Sequence, residues 1–454
     1  MVFVFAWSWR TQPTVRKWLL LLASYVFYGW WDWRFCFLLL GASLIAWLAG
    51  IWLGKVDGPR ERKSVVAFAV VALLGVLGFF KYYGFFLSSL QDLLFAIGWQ
   101  RDLPILQIIL PVGISFFTFQ AISYVVDVYR GQIDARRQPL DVLLYISFFP
   151  QLVAGPIVRA ADFLPQLERL AVLDRRSAIF GLALCSSGLL KKMVIANYLA
   201  QDLVDPVFLD PGSYSSLVNL LAVYGYAVQI YCDFSGYSDI AIGTAALLGF
   251  QFKANFNQPY RATSLQDFWR RWHMSLSQWL RDYLYIPLGG SRFGRWKTYR
   301  NLFLTMFLGG LWHGAAWNFI IWGTIHGLWL CFERAAGLAR SVTRFGAVFS
   351  WLVVFHIVCA AWIFFRASDL GTALDMFGML GAFTADLGEL TWFTLGLIVS
   401  PLAAQFAPPA IGRQVIDQLT KAPFWLSAFL FVGSLLIIIW VSPSGTAPFI
   451  YFQF

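Results

Sequence analysis

Charged residues are scarce in this chain: Asp, Glu, Lys and Arg make up 13% of its 454 residues, about half of the 25% that is typical of soluble domains. Apolar residues make up 59% and aromatic residues 19%. This balance excludes an intrinsically disordered chain, a disulfide-rich secreted scaffold and an ordinary cytosolic enzyme. The composition instead predicts an all-α polytopic membrane protein.

Cysteine is also rare, and none of the five cysteines forms a C-x-x-C pair. They indicate neither a disulfide framework nor a zinc site, so we expect no metal ion. The sequence lacks a G-x-S-x-G elbow, a Walker loop, a G-x-G-x-x-G fingerprint and an H-E-x-x-H pair. Any chemistry therefore depends on isolated polar residues inside the membrane region.

Apolar runs recur along the chain, and a membrane helix needs about 20 such residues. The runs predict about nine to eleven crossings, with the shorter ones interpreted as half-helices or re-entrant pieces. The apolar stretch 141–155 is interpreted as a re-entrant segment because it ends in Pro and Gly. The candidate spans are 17–31, 35–53, 64–86, 104–126, 177–198, 216–232, 233–250, 300–312, 315–332, 347–366, 391–407 and 424–441.

The net charge of +10 at pH 7 comes from bases in short loops between the apolar runs. No basic stripe lies on a water-facing domain, which argues against a nucleic-acid partner. By the positive-inside rule, the basic loops 55–63, 129–138 and 253–300 are predicted to be cytoplasmic. The loops 199–215 and 367–390 carry acidic residues without bases and are predicted to be periplasmic.

The segment 253–300 is too polar to span a membrane. At about 100° per residue, its aromatic and leucine side chains share one helix face, and Arg270, Arg271 and Arg281 lie outside that face. The pattern predicts one amphipathic helix over 264–286 in the cytoplasmic interface, with His273 turned toward the protein interior. The arginines either anchor this helix to anionic lipid or bind an anionic ligand.

Only four histidines occur in the chain. His313 lies in GGLWHGAAW, where small residues allow a helix to break inside the membrane. An imidazole at such a break is suited to proton transfer, and packing between helices is the alternative. The sequence does not decide between function and packing for His326. His356 is interpreted as a hydrogen-bonding group between helices.

The segment YCDFSGYSD (231–239) places two carboxylates in an apolar stretch. Buried Asp233 and Asp239 must be paired, protonated or in contact with water. Two interpretations remain open, a structural role around irregular backbone at Gly236 and a direct role in catalysis.

Several longer motifs carry a resemblance to a known family. Over about 15–454 the chain resembles the membrane-bound O-acyltransferase superfamily, in the branch of the alginate O-acetyltransferases, and is also similar to the D-alanyl transferases of teichoic acid. The motifs are VAGPIVRAADFLPQL (153–167), YCDFSGYSDIAIGTAALLGF (231–250), NFNQPYRATSLQDFWRRWHMSLSQWLRDYLYIPLGGSR (255–292), GGLWHGAAWNFIIWGTIHG (309–327) and PFIYFQF (448–454).

This resemblance implies a single domain over 1–454, a ring of helices around a central tunnel, and multi-pass insertion in the bacterial inner membrane. It implies acyl transfer from a cytoplasmic thioester to a hydroxyl acceptor. His313 matches the family's essential intramembrane histidine and His273 its second histidine. Family members begin with a further apolar helix, whereas 16 residues precede the first candidate span here, so either the start is assigned late or a helix is missing.

The resemblance also implies acetyl-CoA as the acyl donor, with no permanently bound cofactor. The implied acceptor is an exopolysaccharide such as alginate, reached through periplasmic acetyltransferase or acyl-carrier partner proteins. Elementary chemistry agrees, because a neutral imidazole suits proton transfer near pH 7, and apolar surroundings disfavour a charged His313. Arg270, Arg271 and Arg281 would offer donors to the phosphates of CoA. The competing hypotheses are a non-catalytic scaffold of a polysaccharide-secretion complex and a transporter.

Overall fold

The helices of this chain were located in a computed structural model that describes residues 1–99, 102–103, 106–338, 344–388 and 390–445. Within these ranges the chain contains helices and turns and no β-strand. The sequence therefore predicted the all-α class correctly. Residues 104 and 105 of the candidate span 104–126, Glu389 of the acidic loop 367–390 and the terminal motif 448–454 lie outside the described residues.

The first of two compact units comprises Met1–Leu173 and Ala245–Lys253. Pro13, Pro59 and Pro139 each stand at the first position of a helix, where the missing N–H costs no hydrogen bond. The helices are α1 (Val2–Ser8), α2 (Pro13–Asp32), α3 (Arg34–Leu53), α4 (Pro59–Ala96), α5 (Ile114–Tyr129), α6 (Pro139–Ser147), α7 (Phe149–Leu152) and α8 (Ala160–Phe163).

The second unit comprises Asp174–Thr244 and Ala254–Phe454, and it holds every site residue predicted from the sequence. Its first helix begins after Asp174, whose side chain accepts a hydrogen bond from the Ser177 N–H. The helices are α9 (Arg175–Leu209), α10 (Ser216–Leu247), α11 (Leu265–Trp269), α12 (Met274–Leu280), α13 (Arg295–His313), α14 (Trp317–Ala336), α15 (Arg344–Arg366), α16 (Leu370–Leu380), α17 (Trp392–Ala404), α18 (Ala410–Lys421) and α19 (Phe424–Val441).

Six helices in the described part of the chain are long and apolar enough to cross a membrane. The shorter α5, α16 and α17 are also apolar, and the predicted count of nine to eleven crossings stays a prediction. The six long helices are Arg34–Leu53, Pro59–Ala96, Arg175–Leu209, Ser216–Leu247, Gly346–Arg366 and Phe424–Val441.

Helix α10 corrects two predictions. The spans 216–232 and 233–250 are one continuous helix of 32 residues, and the backbone at Gly236 is helical rather than irregular. A Cβ added at Gly236 would lie 2.8 Å from the carbonyl oxygen of Gly188 in α9. The glycine therefore permits a close approach of two helices.

Helices α13 and α14 also meet at glycines. A Cβ at Gly323 would lie 2.5 Å from the carbonyl oxygen of Met306 and 3.1 Å from the Cα of Gly310. We expect Gly323→Ala to lower the free energy of unfolding by about 1–3 kcal/mol, because the two backbones must separate. Gly396→Ala in α17 is the control, since no described atom lies within 4 Å of its Cβ position. Chemical unfolding in micelles measures the free energy of unfolding of both variants. Equal stability of the two variants would contradict this packing.

Candidate functional site

His313 is the last residue of α13, and the helix ends there because the backbone becomes extended at Gly314 and remains so at Ala316. Helix α14 begins at Trp317. A Cβ at Gly314 would overlap the ring of Phe319, so this position requires glycine. The helix break predicted from the GGLWHGAAW pattern is confirmed.

The imidazole of His313 is enclosed by aromatic rings and is only 3% exposed. Its centroid lies 4.9 Å from that of Trp322, 5.0 Å from that of Trp312 and 5.2 Å from that of Phe365. Together with its burial, these rings keep bulk water away from the imidazole of His313.

His326 is fully buried and lies beside the same tryptophan. Its centroid is 4.6 Å from that of Trp322, which therefore contacts both His313 and His326. The indole N–H of Trp269 donates to Nδ1 of His326 at 3.3 Å. Because Nδ1 accepts this bond, the proton of the neutral ring is assigned to Nε2.

The segment 264–286 is not one amphipathic helix, and that prediction is wrong. It consists of α11, a left-handed residue at His273 (φ 41°), α12 and a π-helical turn over Arg281–Tyr285. The carboxylate of Glu333 accepts the backbone N–H groups of Leu265 and Gln266 and thereby fixes the start of α11. A helical wheel cannot detect such a partner, which comes from α14.

His273 is fully buried at this break, where it precedes α12. Its Nδ1 lies 3.2 Å from Oδ1 of Asn255, and its ring is nearly perpendicular to that of Phe234 at a centroid distance of 4.6 Å. The centroid of Trp312 is 6.2 Å away. Trp312 thus lies near both His273 and His313, and the two histidines predicted from the sequence belong to one buried aromatic cluster.

A cavity of about 440 Å³ lies beside this cluster and receives two of the three predicted arginines, Arg270 and Arg281. Trp269, the hydrogen-bond partner of His326, forms part of its wall, and Arg334 of α14 adds a third guanidinium. Arg271 is not among its lining residues. A second cavity of about 480 Å³ shares Gln266 and Arg334 with the first one.

The three predicted arginines differ in their partners. Nε of Arg271 bonds Oδ2 of Asp267 at 2.8 Å, one helical turn away. Nε of Arg281 bonds Oδ1 of the adjacent Asp282 at 2.6 Å, and the Arg281 side chain stays 59% exposed. Arg270 is exposed. Guanidinium groups on a cavity wall give strong, forked hydrogen bonds to phosphate or carboxylate groups.

The two aspartates of 231–239 are paired with lysines of α9. Lys192 Nζ lies 2.6 Å from Asp233 Oδ1, and Lys191 Nζ lies 2.6 Å from Asp239 Oδ2. The sequence analysis did not identify these lysines as the partners. Two adjacent bases in the apolar stretch 177–198 could have indicated them, since a charge inside a membrane helix requires a partner. The pairing favours a structural role for this cluster, although that role is to join α9 to α10 rather than to satisfy irregular backbone at Gly236.

His356 lies apart from these residues, on an exposed face of α15. Its Nε2 is 2.7 Å from the hydroxyl of Tyr224 in α10, which confirms its interpretation as a hydrogen-bonding group between helices. In the described part of the chain, no group of three or more His, Cys, Asp or Glu side chains is placed to hold a metal ion.

These features define a multi-pass membrane protein with buried imidazoles next to a basic cavity. The family model for membrane-bound O-acyltransferases matches residues 133–368, which include all three clustered histidines. The chain belongs to the membrane-bound O-acyltransferase family and is an O-acyltransferase.

Curated relatives extend this similarity over most of the chain. The probable alginate O-acetylase of Pseudomonas putida is 40% identical over 97% of this chain and 94% of its own. The corresponding protein of Pseudomonas aeruginosa is 43% identical over 90% of this chain and 79% of its own. The peptidoglycan O-acetyltransferase of Helicobacter pylori is 37% identical over 82% of this chain and 75% of its own.

Proposed function

We propose that this O-acyltransferase moves an acetyl group from cytoplasmic acetyl-CoA toward the hydroxyl groups of a polysaccharide outside the inner membrane. The names of the relatives support this class of acceptor, since they act on alginate or peptidoglycan. The single observation that carries the proposal is the enclosure of His313 at a helix break by three aromatic rings. The orientation rests on the charges of the loops.

In the proposed reaction, neutral His313 accepts the proton of an attacking hydroxyl group. The hydroxyl oxygen then bonds to the thioester carbon, and the carbon–sulfur bond breaks. The proton passes from the imidazolium ion to the departing thiolate, so that ester and free thiol are the products. The aromatic enclosure assists because it excludes water, which would otherwise hydrolyse the thioester.

His273 is proposed as the second catalytic histidine. Its burial and its proximity to Trp312 place it in the same cluster as His313. His273→Asn is a better test than His273→Ala, because asparagine tolerates the left-handed backbone of this position more readily. The proposal requires the asparagine variant to lose turnover while it still binds the donor.

The cavity beside α11 and α12 is proposed as the donor site. A CoA thioester is a bulky anion with several phosphate groups, and Arg270, Arg281 and Arg334 line this cavity. Arg271, proposed from the sequence for the same role, is bonded to Asp267 instead. We therefore assign Arg271 to holding α11 in place. The alternative for all these arginines remains anchoring to anionic lipid.

We expect Arg270→Gln and Arg281→Gln each to weaken acetyl-CoA binding, since each removes charge-assisted hydrogen bonds worth about 1.5–3 kcal/mol. Titration of the purified protein in nanodiscs with acetyl-CoA measures the change. Arg292→Gln is the matched control, because Arg292 is exposed in the same basic segment and lines neither cavity. Affinities unchanged from the wild type in all three variants would favour the lipid anchor.

Partner proteins and the final acceptor are part of the proposal. Acetyl groups that reach the outer face would be passed to the polymer by periplasmic acetyltransferase or acyl-carrier proteins. Mass spectrometry of the exopolysaccharides from a deletion strain identifies the acceptor by its lost acetyl groups. Consumption of the donor thioester separates an enzyme from a transporter, which would move its substrate without cleaving acetyl-CoA.

A further inference from the structure

Asn255 lies in the loop after α10, and 1% of its surface is exposed. Its Oδ1 accepts hydrogen bonds from the backbone N–H of Ser275 at 3.1 Å and from the Ser275 hydroxyl at 2.9 Å. Its Nδ2 donates to Oγ of Ser238 in α10 at 3.1 Å. The side chain therefore connects the polar segment 231–239 with the start of α12.

These bonds fix the orientation of the Asn255 amide. A backbone N–H can only donate, so the amide atom that faces Ser275 N must be the oxygen. The same oxygen faces Nδ1 of His273 at 3.2 Å. The Ser275 hydroxyl also lies 3.4 Å from Nδ1, but its single hydrogen is directed at Asn255 Oδ1 at 2.9 Å. Since two acceptors cannot share a hydrogen bond, the proton is assigned to Nδ1. In a neutral ring, the lone pair is then on Nε2.

Asn255 also holds the backbone of His273. The carbonyl oxygen of Asn255 accepts the N–H of Met274 at 2.8 Å, directly after the left-handed conformation of His273. Such a conformation persists in a residue with a side chain only where its surroundings enforce it. One residue thus sets both the position of the His273 ring and its tautomer.

We propose that Asn255 is a positioning residue for acyl transfer. It keeps the lone pair of His273 on Nε2, so that this nitrogen can accept a hydrogen bond in the reaction in which His313 takes the proton of the hydroxyl group, and Asn255 is itself held by Ser238. This inference rests on the catalytic role proposed for His273. The segment 231–239 then has a second role besides its ion pairs, because its Ser238 holds Asn255. In general, a fixed acceptor that takes a hydrogen bond from one ring nitrogen of a catalytic imidazole leaves the lone pair on the other nitrogen.

The test compares Asn255→Leu with Asn255→Asp in inverted membrane vesicles, which present the donor side of the protein. Leucine has a similar size but accepts no hydrogen bond, so kcat should fall about 10²-fold while KM for acetyl-CoA stays within about twofold. Aspartate accepts the same bonds from Ser275 and His273, and the Ser238 hydroxyl can rotate to donate to it. Its kcat should stay within about tenfold of the wild type.

Asn257→Leu is the matched control, since Asn257 lies two residues further in the same loop and its side chain is exposed. This variant should keep wild-type kcat and KM. Should Asn255→Leu not accumulate, Ser238→Ala takes its place. It removes the bond that steadies the Asn255 amide, and its kcat should fall about tenfold.

Wild-type kcat in Asn255→Leu, or in Ser238→Ala used in its place, would overturn the inference. So would a change confined to KM, or an Asn255→Asp variant as inactive as Asn255→Leu. These results differ from a failure of the proposed function, in which the wild-type protein itself would consume no acetyl-CoA in the same vesicles.

Discussion

Replacing His313 by alanine is expected to abolish acetylation of the polymer while folded protein remains in the membrane. The imidazole is the proton acceptor in the proposed reaction, and general-base catalysis contributes about 10²- to 10⁴-fold to a rate. We therefore expect a loss of at least about 10²-fold in kcat at saturating acetyl-CoA. Thioester consumption and the acetyl content of the polymer measure it.

Two further variants make this result specific. His313→Gln keeps a polar side chain of similar size and should be as inactive as alanine, because an amide does not accept the proton. His356→Ala removes a histidine that contacts Tyr224 on an exposed helix face, and it should keep normal activity. Wild-type acetylation and thioester consumption in His313→Ala would contradict the assignment of His313 as the catalytic residue.

The sequence predicted the class of fold and the helix break at His313 because both depend on local composition. Twenty apolar residues favour a membrane helix wherever they occur, and the glycines around His313 allow a break whatever packs nearby. The helical pattern turned His273 toward the interior, and the family resemblance added its catalytic role and the function. Neither source predicted that Trp322 contacts both His313 and His326, since that contact depends on how α13 and α14 pack.

The sequence did not predict the broken segment 264–286, because its shape is fixed by distant partners. Glu333 holds the start of α11 from 68 positions away, and Asn255 holds His273 from 18 positions away. A helical wheel assumes a continuous helix and therefore placed Arg270 and Arg271 together. The structure places Arg270 on the cavity and bonds Arg271 to Asp267.

The ion pairs between α9 and α10 show the same limit. The sequence required Asp233 to be paired, protonated or solvated, but it did not show that Lys192 is the partner. Adjacent lysines project to different sides of a helix, and the π-helical turn over Leu190–Ala196 changes their direction further. Only the crossing of α9 and α10 at Gly188 and Gly236 brings the charges together.

Replacing Lys192 by methionine is expected to cause the largest loss of stability among single substitutions considered for this chain. The side chains of Lys192 and Asp233 are 11% and 4% exposed, and their charged atoms lie 2.6 Å apart. Methionine leaves the carboxylate of Asp233 buried without its cation, and this should lower the free energy of unfolding by about 3–5 kcal/mol. Chemical unfolding in micelles measures the loss.

A second substitution and a second ion pair separate this electrostatic effect from lost packing. Asp233→Asn added to Lys192→Met removes the buried negative charge, so most of the lost stability should return. Lys191→Met affects the pair with Asp239, whose side chains are 23% and 20% exposed and are therefore less desolvated than those of Lys192 and Asp233. The loss of stability in Lys191→Met should be clearly smaller than that in Lys192→Met. Two results would contradict the electrostatic explanation: an equal loss of stability in Lys191→Met and Lys192→Met, or a double variant that is less stable than Lys192→Met alone. Either result would show that the aliphatic parts of the lysine side chains, rather than their charges, join α9 to α10.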